Sequence, residues 1–443
     1  MLVDLLDDAR GAPDSIALVS AEETWTYADL DRAVTERADG LRAVGVRAGH
    51  AVPVTLDATA DGVIHLLALW RAGVTPAPLN PGLTQAERDA RVAALTDEPC
   101  DAQAVLWTSG TEGRPRGVEI SYRGLAASAR ASQARLDLGV DDVWLASLSP
   151  AHVGGLALIT RALMLGSRLV ALGAFDAERT AALIAGRDLP AGTERPVTHA
   201  SLVPTQLLRL LDAWGSAPPP ASFRCALVGG ARAPTALVRA ALDAGWPVAL
   251  TYGLSEATSQ VATAPPALTK RKPGTVGAAL DGVDVTFGDD GEILVRGATL
   301  ATAYVGPRAG PVADAEGWHH TGDLGHMDDE GHLWVTGRRL DRIVSGGVTI
   351  DAVEVEEVLR SHASVMDACV VGLPDMEWGE RVAAWVVPAE DGLDLEALDA
   401  FLRDRLSAPK RPRVFHVSDA LPRNANGKVD RGAVREGVAG SQS

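Results

Sequence analysis

The residues best suited to chemistry lie in the stretch WTSGTEGRPRGVEISYRG, which begins at Trp107 and follows the apolar run Ala104-Val105-Leu106. Thr108, Ser109 and Thr111 offer hydroxyl donors, and Gly110, Gly113 and Gly117 let the backbone approach an anion closely. Arg114 and Arg116 bring fixed positive charge. A short buried strand emptying into such a loop is a build that wraps backbone N–H groups around phosphate oxygens. The same composition also makes ordinary turns, and the spacing does not match the GxxxxGK[ST] of the common phosphate loop, so this stretch alone leaves both readings open.

Further candidates follow downstream. The loops Gly229-Gly230-Ala231 and Tyr252-Gly253-Leu254-Ser255-Glu256 each end an apolar run, where parallel sheets gather ligands. Glu256, beside a glycine turn, suits a magnesium ion and equally a solvated loop. Asp323 falls between two glycines, where its carboxylate could accept both hydroxyls of a ribose or serve a simple turn. His152 sits at a turn and Arg161 lies nine residues later on an apolar helix; the bland reading is a capped histidine and a surface arginine. Lys428 follows a turn made by Asn424, Asn426 and Gly427, and the chain has only four lysines among its 41 basic residues. A solvated turn lysine is the plain alternative.

The elements that must position these residues read as α/β. Helical patterns run over 27–44, with Thr26 as N-cap and Gly45 as stop, over 62–73, and over 84–95 with Thr84 as N-cap. After a helix over 122–136, strands and helices alternate from Val143 to Gly253 in the rhythm of a parallel sheet. The text then turns β-rich, with a DDG hairpin turn, until RRLDR breaks it after Gly337. A helix over 353–361, strands at DACVVGL and RVAAWVVP, a helix over 395–406 and the strand VFHVSDAL make a small α+β unit. The expectation is a large N-terminal domain, 1–337, of layered, mostly parallel sheets with helices plus a β-rich subdomain, and a small C-terminal domain, 338–443, on a short hinge.

Composition narrows the function. A net charge of −17 argues against nucleic acid as a main partner, while local basic pockets can still hold ATP or CoA. With 47% hydrophobic and 22% charged residues the chain reads as soluble and globular, with disorder confined to the Gly-Ser tail. No apolar run reaches membrane-spanning length and the start, MLVDLLDDAR, is acidic, so a cytoplasmic location is expected. Cys100, Cys225 and Cys369 suit neither a disulfide framework nor zinc and read as buried thiols. The histidines at 319, 320, 326 and 332 sit among strands and turns rather than at metal-ligand spacing.

Taken together in their order, TSGTEGRPRG, SPAHVGG, TYGLSEATS, HHTGDLG, GRRLDRIVSGG and NANGKVDR resemble the adenylate-forming superfamily of acyl-CoA synthetases, luciferases and peptide-synthetase adenylation domains. The resemblance implies an AMP-forming acid–thiol ligase using ATP, Mg²⁺ and coenzyme A. It implies that residues 109–117, with Thr108 and Arg116, hold the β- and γ-phosphates, that Tyr252 and the backbone of Gly230 and Ala231 hold the adenine, and that Thr251, Gly253 and Ser255 also bind ATP. Asp323 would take the ribose, Arg338 the ribose or a phosphate near the hinge, Glu256 the magnesium, and Lys428 the charge between substrate carboxylate and α-phosphate. The small domain would turn about 339–341 and present Ser345, Gly346 and Gly347 to CoA. Glu112 and Arg116 replace the family's usual Thr and Lys, and Val348-Thr349 its Glu-Asn.

Which acid is bound can also be read from the resemblance. HVGGLALIT lacks the Asp with which peptide-synthetase domains pair an amino group, which disfavours an amino acid, whereas Arg161 could bind a second carboxylate. THASLVPTQLLRLL and YGLSEATSQV look most like the o-succinylbenzoate:CoA ligases of menaquinone biosynthesis, which implies an aromatic diacid held by His152, Arg161, Ser201, Thr258 and Gln260. Another aryl- or acyl-CoA ligase is the alternative in the same class, and a non-catalytic nucleotide-binding relative the alternative outside it. A homo-oligomer stays open.

Overall fold

The computed structural model describes residues 2–7, 12–96, 98–109, 115–190, 193–306, 309–345, 348–376, 378–389, 392–424 and 427–440. The chain divides into two compact units: Met1–Thr286 with Leu294–His320 and Met327–Trp334, and Phe287–Ile293 with Thr321–His326 and Val335–Ser443. Among the described residues no helix is long and apolar enough to cross a membrane.

The first unit is built on an eight-stranded sheet. Its spatial order is Ser259–Ala264, Val248–Leu254, Cys225–Val228, His199–Leu202, Val143–Leu145, Arg168–Val170, Ile16–Val19 and Thr24–Thr26. The six inner strands are parallel and the two at the edges antiparallel. The inner strands read as continuous apolar runs because both faces are covered. Leu18, Trp144, Leu169, Leu227 and Ala249 pack into one core with Leu30, Val34 and Ile159. Their neighbours Val19, Val143, Val170, Ala226 and Val248 pack into a second with Leu183, Leu207 and Val238. Two helices begin as the sequence implies: Tyr27–Ala43 and Gln85–Ala94 carry full capping boxes, Thr26 with Asp29 and Thr84 with Glu87. The helix Ala177–Ile184 and the strand Arg168–Val170 were not foreseen.

A second, antiparallel sheet changes the reading of the glycine-rich stretch. The strand Ala104–Ser109 pairs with a strand Pro115–Ile120, placing Trp107 opposite Gly117 and Thr108 opposite Arg116. The second half of the stretch is therefore the return arm of a hairpin rather than loop. Gly117 also faces Val305 of the strand Ala303–Val305, and a Cβ on it would lie 2.3 Å from Val305 Cγ2 and 2.8 Å from Val105 Cγ1. Its missing side chain thus serves close strand packing. Gly117→Ala is expected to cost about 1–3 kcal/mol through overpacking; an unchanged midpoint in denaturant unfolding would contradict that contact.

The second unit has a sheet in the order Val348–Asp351, Arg342–Ser345, Gly379–Pro388, Val365–Asp375, with Val414–Val417 parallel beside Gly379–Pro388. One face carries Ile343, Val370 and Val382 against Val355, Leu359, Leu398 and Leu402. The other carries Val371, Ala383 and Val387 against Val434 and Val438. Those last two belong to a further helix, Arg431–Gly440. Asp430 starts it, its carboxylate accepting from the Ala433 N–H at 3.0 Å, and the i,i+4 valines bury it.

Candidate active site

On the phosphate side, Gly110, Thr111, Glu112, Gly113 and Arg114 lie outside the described residues, as does the side chain of Ser109. The hairpin arms on either side are in place, and the Thr108 hydroxyl donates to the Arg116 carbonyl at 3.5 Å. The Arg116 guanidinium stands over the ring of Tyr304, 4.7 Å from its centroid, with its Nε buried and unpartnered. The Tyr304 hydroxyl donates to Glu256 Oε1 at 3.4 Å. Burial, and after it the Glu256 carboxylate, push the phenol's pKa up, so it stays a donor at neutral pH. Tyr304 was missed in the sequence because only the pairing of Ala303–Val305 with Pro115–Ile120 brings it here.

Glu256 is buried in a single 3₁₀ turn, Ser255–Ala257, set into an irregular corner between two strands. The pairing of Val248–Leu254 with Ser259–Ala264 shifts register between Tyr252 and Gly253. Gly253 admits no side chain, because a Cβ would lie 1.9 Å from the Ser259 carbonyl oxygen. Thr258 and Ser259 take left-handed φ of 49° and 99°, strain of a kind that collects at functional sites. The Thr258 hydroxyl is fully buried and without a partner. The Ala301 N–H donates to the Glu256 carbonyl at 2.8 Å and holds the corner from the other side. At the neighbouring strand end Gly230 has φ 77°, Gly230 and Ala231 are exposed, and Tyr252 is buried. The Thr251 hydroxyl is taken up by the Ala262 carbonyl at 3.0 Å and Thr263 Oγ1 at 2.9 Å.

The acid-side candidates centre on Arg161, and the bland reading of a surface arginine fails. Its residue is 3% exposed, packed with its guanidinium 4.4 Å from the centroid of Trp144. Nη1 donates to Gln260 Oε1 at 3.0 Å and to Ser132 Oγ at 3.3 Å, and Nε has no partner. Among the described residues no carboxylate pairs with it. Burial pushes its pKa down to about 10, still charged at neutral pH. Gln260 is fixed in turn by donating to Thr263 Oγ1 at 2.7 Å and Thr251 Oγ1 at 3.3 Å. Ser201 is buried in the strand His199–Leu202, where its carbonyl accepts from the Ser147 hydroxyl. His152 is the N-cap of the helix Val153–Met164 without a side-chain cap; its Nε2 meets Asn80 Nδ2 at 3.0 Å instead. Asn80 was not singled out in the sequence. Cys225 and Cys369 are buried thiols, whereas Cys100 is partly exposed.

In the second unit, Asp323 is buried and its Oδ1 accepts from Arg338 Nε at 2.8 Å, so Arg338 stands beside the residue expected at the ribose. Glu292 supports them: it accepts from the Gly322 N–H at 2.8 Å and from Arg339 Nη1 at 3.3 Å. Ser345 is buried at the end of the strand Arg342–Ser345, opposite Val348, while Gly346 and Gly347 lie outside the described residues. The Lys428 loop is closed by the Lys428 N–H donating to Asn424 Oδ1 at 3.2 Å and the Asn424 N–H to the Lys428 carbonyl at 2.9 Å. Arg423 clamps it, donating to the Gly427 carbonyl at 3.0 Å and to Asp367 Oδ2 at 3.3 Å. Asp341 is anchored by Arg431 Nε at 3.1 Å, and its carboxyl pKa is pushed up by burial.

Comparison with known families decides the assignment: the AMP-binding enzyme family matches residues 5–96 and 90–305, and its C-terminal domain matches residues 354–428. The chain belongs to the AMP-binding enzyme family. A 2-succinylbenzoate–CoA ligase from Bacillus pumilus is 32% identical, with 96% of each chain covered. Among solved structures, o-succinylbenzoate CoA synthetase from Bacillus subtilis in complex with the acyl-adenylate intermediate OSB-AMP superposes with TM-score 0.88 at 30% identity, over 97% of each chain. The same enzyme in complex with ATP and magnesium gives TM-score 0.87 at 29% identity, over 98% of each chain. The α/β architecture, with a larger N-terminal part and a smaller C-terminal one, is that of this AMP-binding relative.

The donor set around Glu256 fits magnesium. Among the described residues no group of three or more His, Cys, Asp or Glu could cage a metal. A single buried carboxylate is what an ion held mainly by substrate phosphates and water requires.

Proposed function

We propose that this chain is an AMP-forming acid–CoA ligase that activates 2-succinylbenzoate as its acyl-adenylate and transfers the acyl group to coenzyme A, as a cytoplasmic step of menaquinone biosynthesis. The similarity to ligases and synthetases of this diacid supports the reaction. The observation that carries the substrate is Arg161: a buried guanidinium with only neutral partners is costly unless an anion completes it. A diacid supplies one carboxylate to Arg161 and keeps the other for reaction, with Gln260, Ser201, Thr258 and His152 lining the acid.

In adenylation a substrate carboxylate oxygen attacks the α-phosphorus of ATP and pyrophosphate leaves; CoA sulfur then attacks the acyl carbon, AMP leaves and the thiol proton is released. Bound magnesium supplies charge neutralisation on the phosphates. Thr108, Arg116, Gly117 and residues 109–113 are assigned to the pyrophosphate, and Glu256 to the ion. Gly230, Ala231, Tyr252, Gly253 and Ser255 are assigned to the adenine side, and Asp323, oriented by Arg338, to the ribose. Lys428 is assigned the charge that builds between carboxylate and α-phosphate, a task for a compact flexible cation. Ser345, Gly346 and Gly347 are assigned to the CoA stage, reached by a turn about Arg339–Asp341.

The test is product analysis. With ATP, Mg²⁺ and CoA, 2-succinylbenzoate should yield AMP and a CoA thioester of the diacid, seen by mass spectrometry. A thioester formed only from monocarboxylic acids would move the chain to another acyl-CoA ligase, and no thioester with any acid would sink the ligase reading. Glu256→Gln should keep the fold and lower adenylation roughly 10²-fold, as removal of a charge from the phosphate side would; a wild-type rate would remove Glu256 from the site.

A further inference from the structure

Arg116 and Glu256 carry opposite charges, yet no ion pair joins them, and Tyr304 engages both, the guanidinium with its ring and the carboxylate with its hydroxyl. Its placement is not adjustable. Val305 presses against Gly117, where no side chain fits, and so fixes the strand Ala303–Val305 against the arm that carries Arg116. Four residues before Val305, the Ala301 N–H holds the Glu256 carbonyl at 2.8 Å. One short segment thus grips Glu256 at its backbone and its carboxylate, and Arg116 at its guanidinium face.

We propose that Tyr304 is a positioning residue for the magnesium–nucleotide: its hydroxyl holds the Glu256 carboxylate and its ring carries the Arg116 guanidinium, so that both charges face the incoming phosphates instead of each other. The proposal rests on the ligase reading above and deepens it. Direct pairing of Arg116 with Glu256 would neutralise the ion's carboxylate and the cation meant for phosphate in a single contact. A cation over an aromatic face keeps its charge and its N–H donors, because the ring accepts from above rather than at the guanidinium edge. The Tyr304 hydroxyl donates to the Glu256 carboxylate, which orders it without cancelling its charge.

Equilibrium binding of a non-hydrolysable ATP analogue to the full chain, with and without Mg²⁺, tests this without turnover. In the wild type Mg²⁺ strengthens binding. Tyr304→Phe should shrink that gain by roughly tenfold or more, the size of one hydrogen bond to a charged group, and leave metal-free affinity unchanged. Tyr304→Leu, which also removes the platform, should weaken metal-free binding as well. In a Glu256→Gln background Tyr304→Phe should cost nothing further, since both act through one carboxylate. A wild-type Mg²⁺ gain in Tyr304→Phe, or an undiminished loss in the Glu256→Gln background, overturns the proposal alone. A wild type that binds no nucleotide overturns it together with the ligase reading.

Discussion

Lys428→Ala is expected to abolish ATP–pyrophosphate exchange, by roughly 10²–10³-fold or more, the scale on which a single transition-state charge contact acts. Thioester formation from preformed acyl-adenylate should continue in the same variant, because CoA attack on the acyl carbon needs no cation between carboxylate and α-phosphate. The fold should tolerate the change. The loop is shaped by the backbone of Lys428, by Asn424 and by the Arg423 clamp, and the Lys428 side chain is exposed. Near-normal exchange in the variant would remove Lys428 from adenylation. Equal loss of both half-reactions would make its role structural.

Arg161→Met should separate function from stability in opposite directions. Methionine keeps much of the volume beside Trp144 and removes the charge. If Arg161 awaits a carboxylate, KM for 2-succinylbenzoate should rise about 10²-fold, the consequence of losing one partner of a buried ion pair, with little change for a monocarboxylic acid. The free protein should become no less stable, because the variant no longer buries a guanidinium bonded only to Gln260 and Ser132. A structural arginine would show the reverse: lower unfolding midpoint, and equal effects on diacid and monoacid.

Much of the fold was legible because its signals are local. The capping boxes at Thr26 and Thr84, the apolar runs of the inner strands and the DDG turn between Val283–Phe287 and Glu292–Gly297 each depend on residues within a few positions of one another. The return arm Pro115–Ile120 was not legible. Pro115 and Gly117 look like loop residues until Val305, far along the chain, is seen to require a glycine opposite it. The helix Arg431–Gly440 had a signal, Asp430 followed by Val434 and Val438, that its glycines obscured.

The candidate site divides in the same way. Glu256, Asp323 and Lys428 stood out by residue type at strand ends and turns, and Arg338 by the resemblance, whereas Tyr304, which donates to Glu256, is set by tertiary pairing. Arg161 could be placed on an apolar helix from sequence; that it is buried against Trp144 and Gln260 without a carboxylate could not. The strain at Thr258 and Ser259 likewise follows from the register shift at Gly253, which no local pattern announces.

The central claim is that this chain adenylates a diacid, and pyrophosphate exchange without CoA tests it most directly. With Mg²⁺ and ATP, 2-succinylbenzoate should drive exchange into ATP, while benzoate and succinate, which each carry part of its structure, should drive little. Exchange that is absent with 2-succinylbenzoate, or equal with benzoate, would contradict the account.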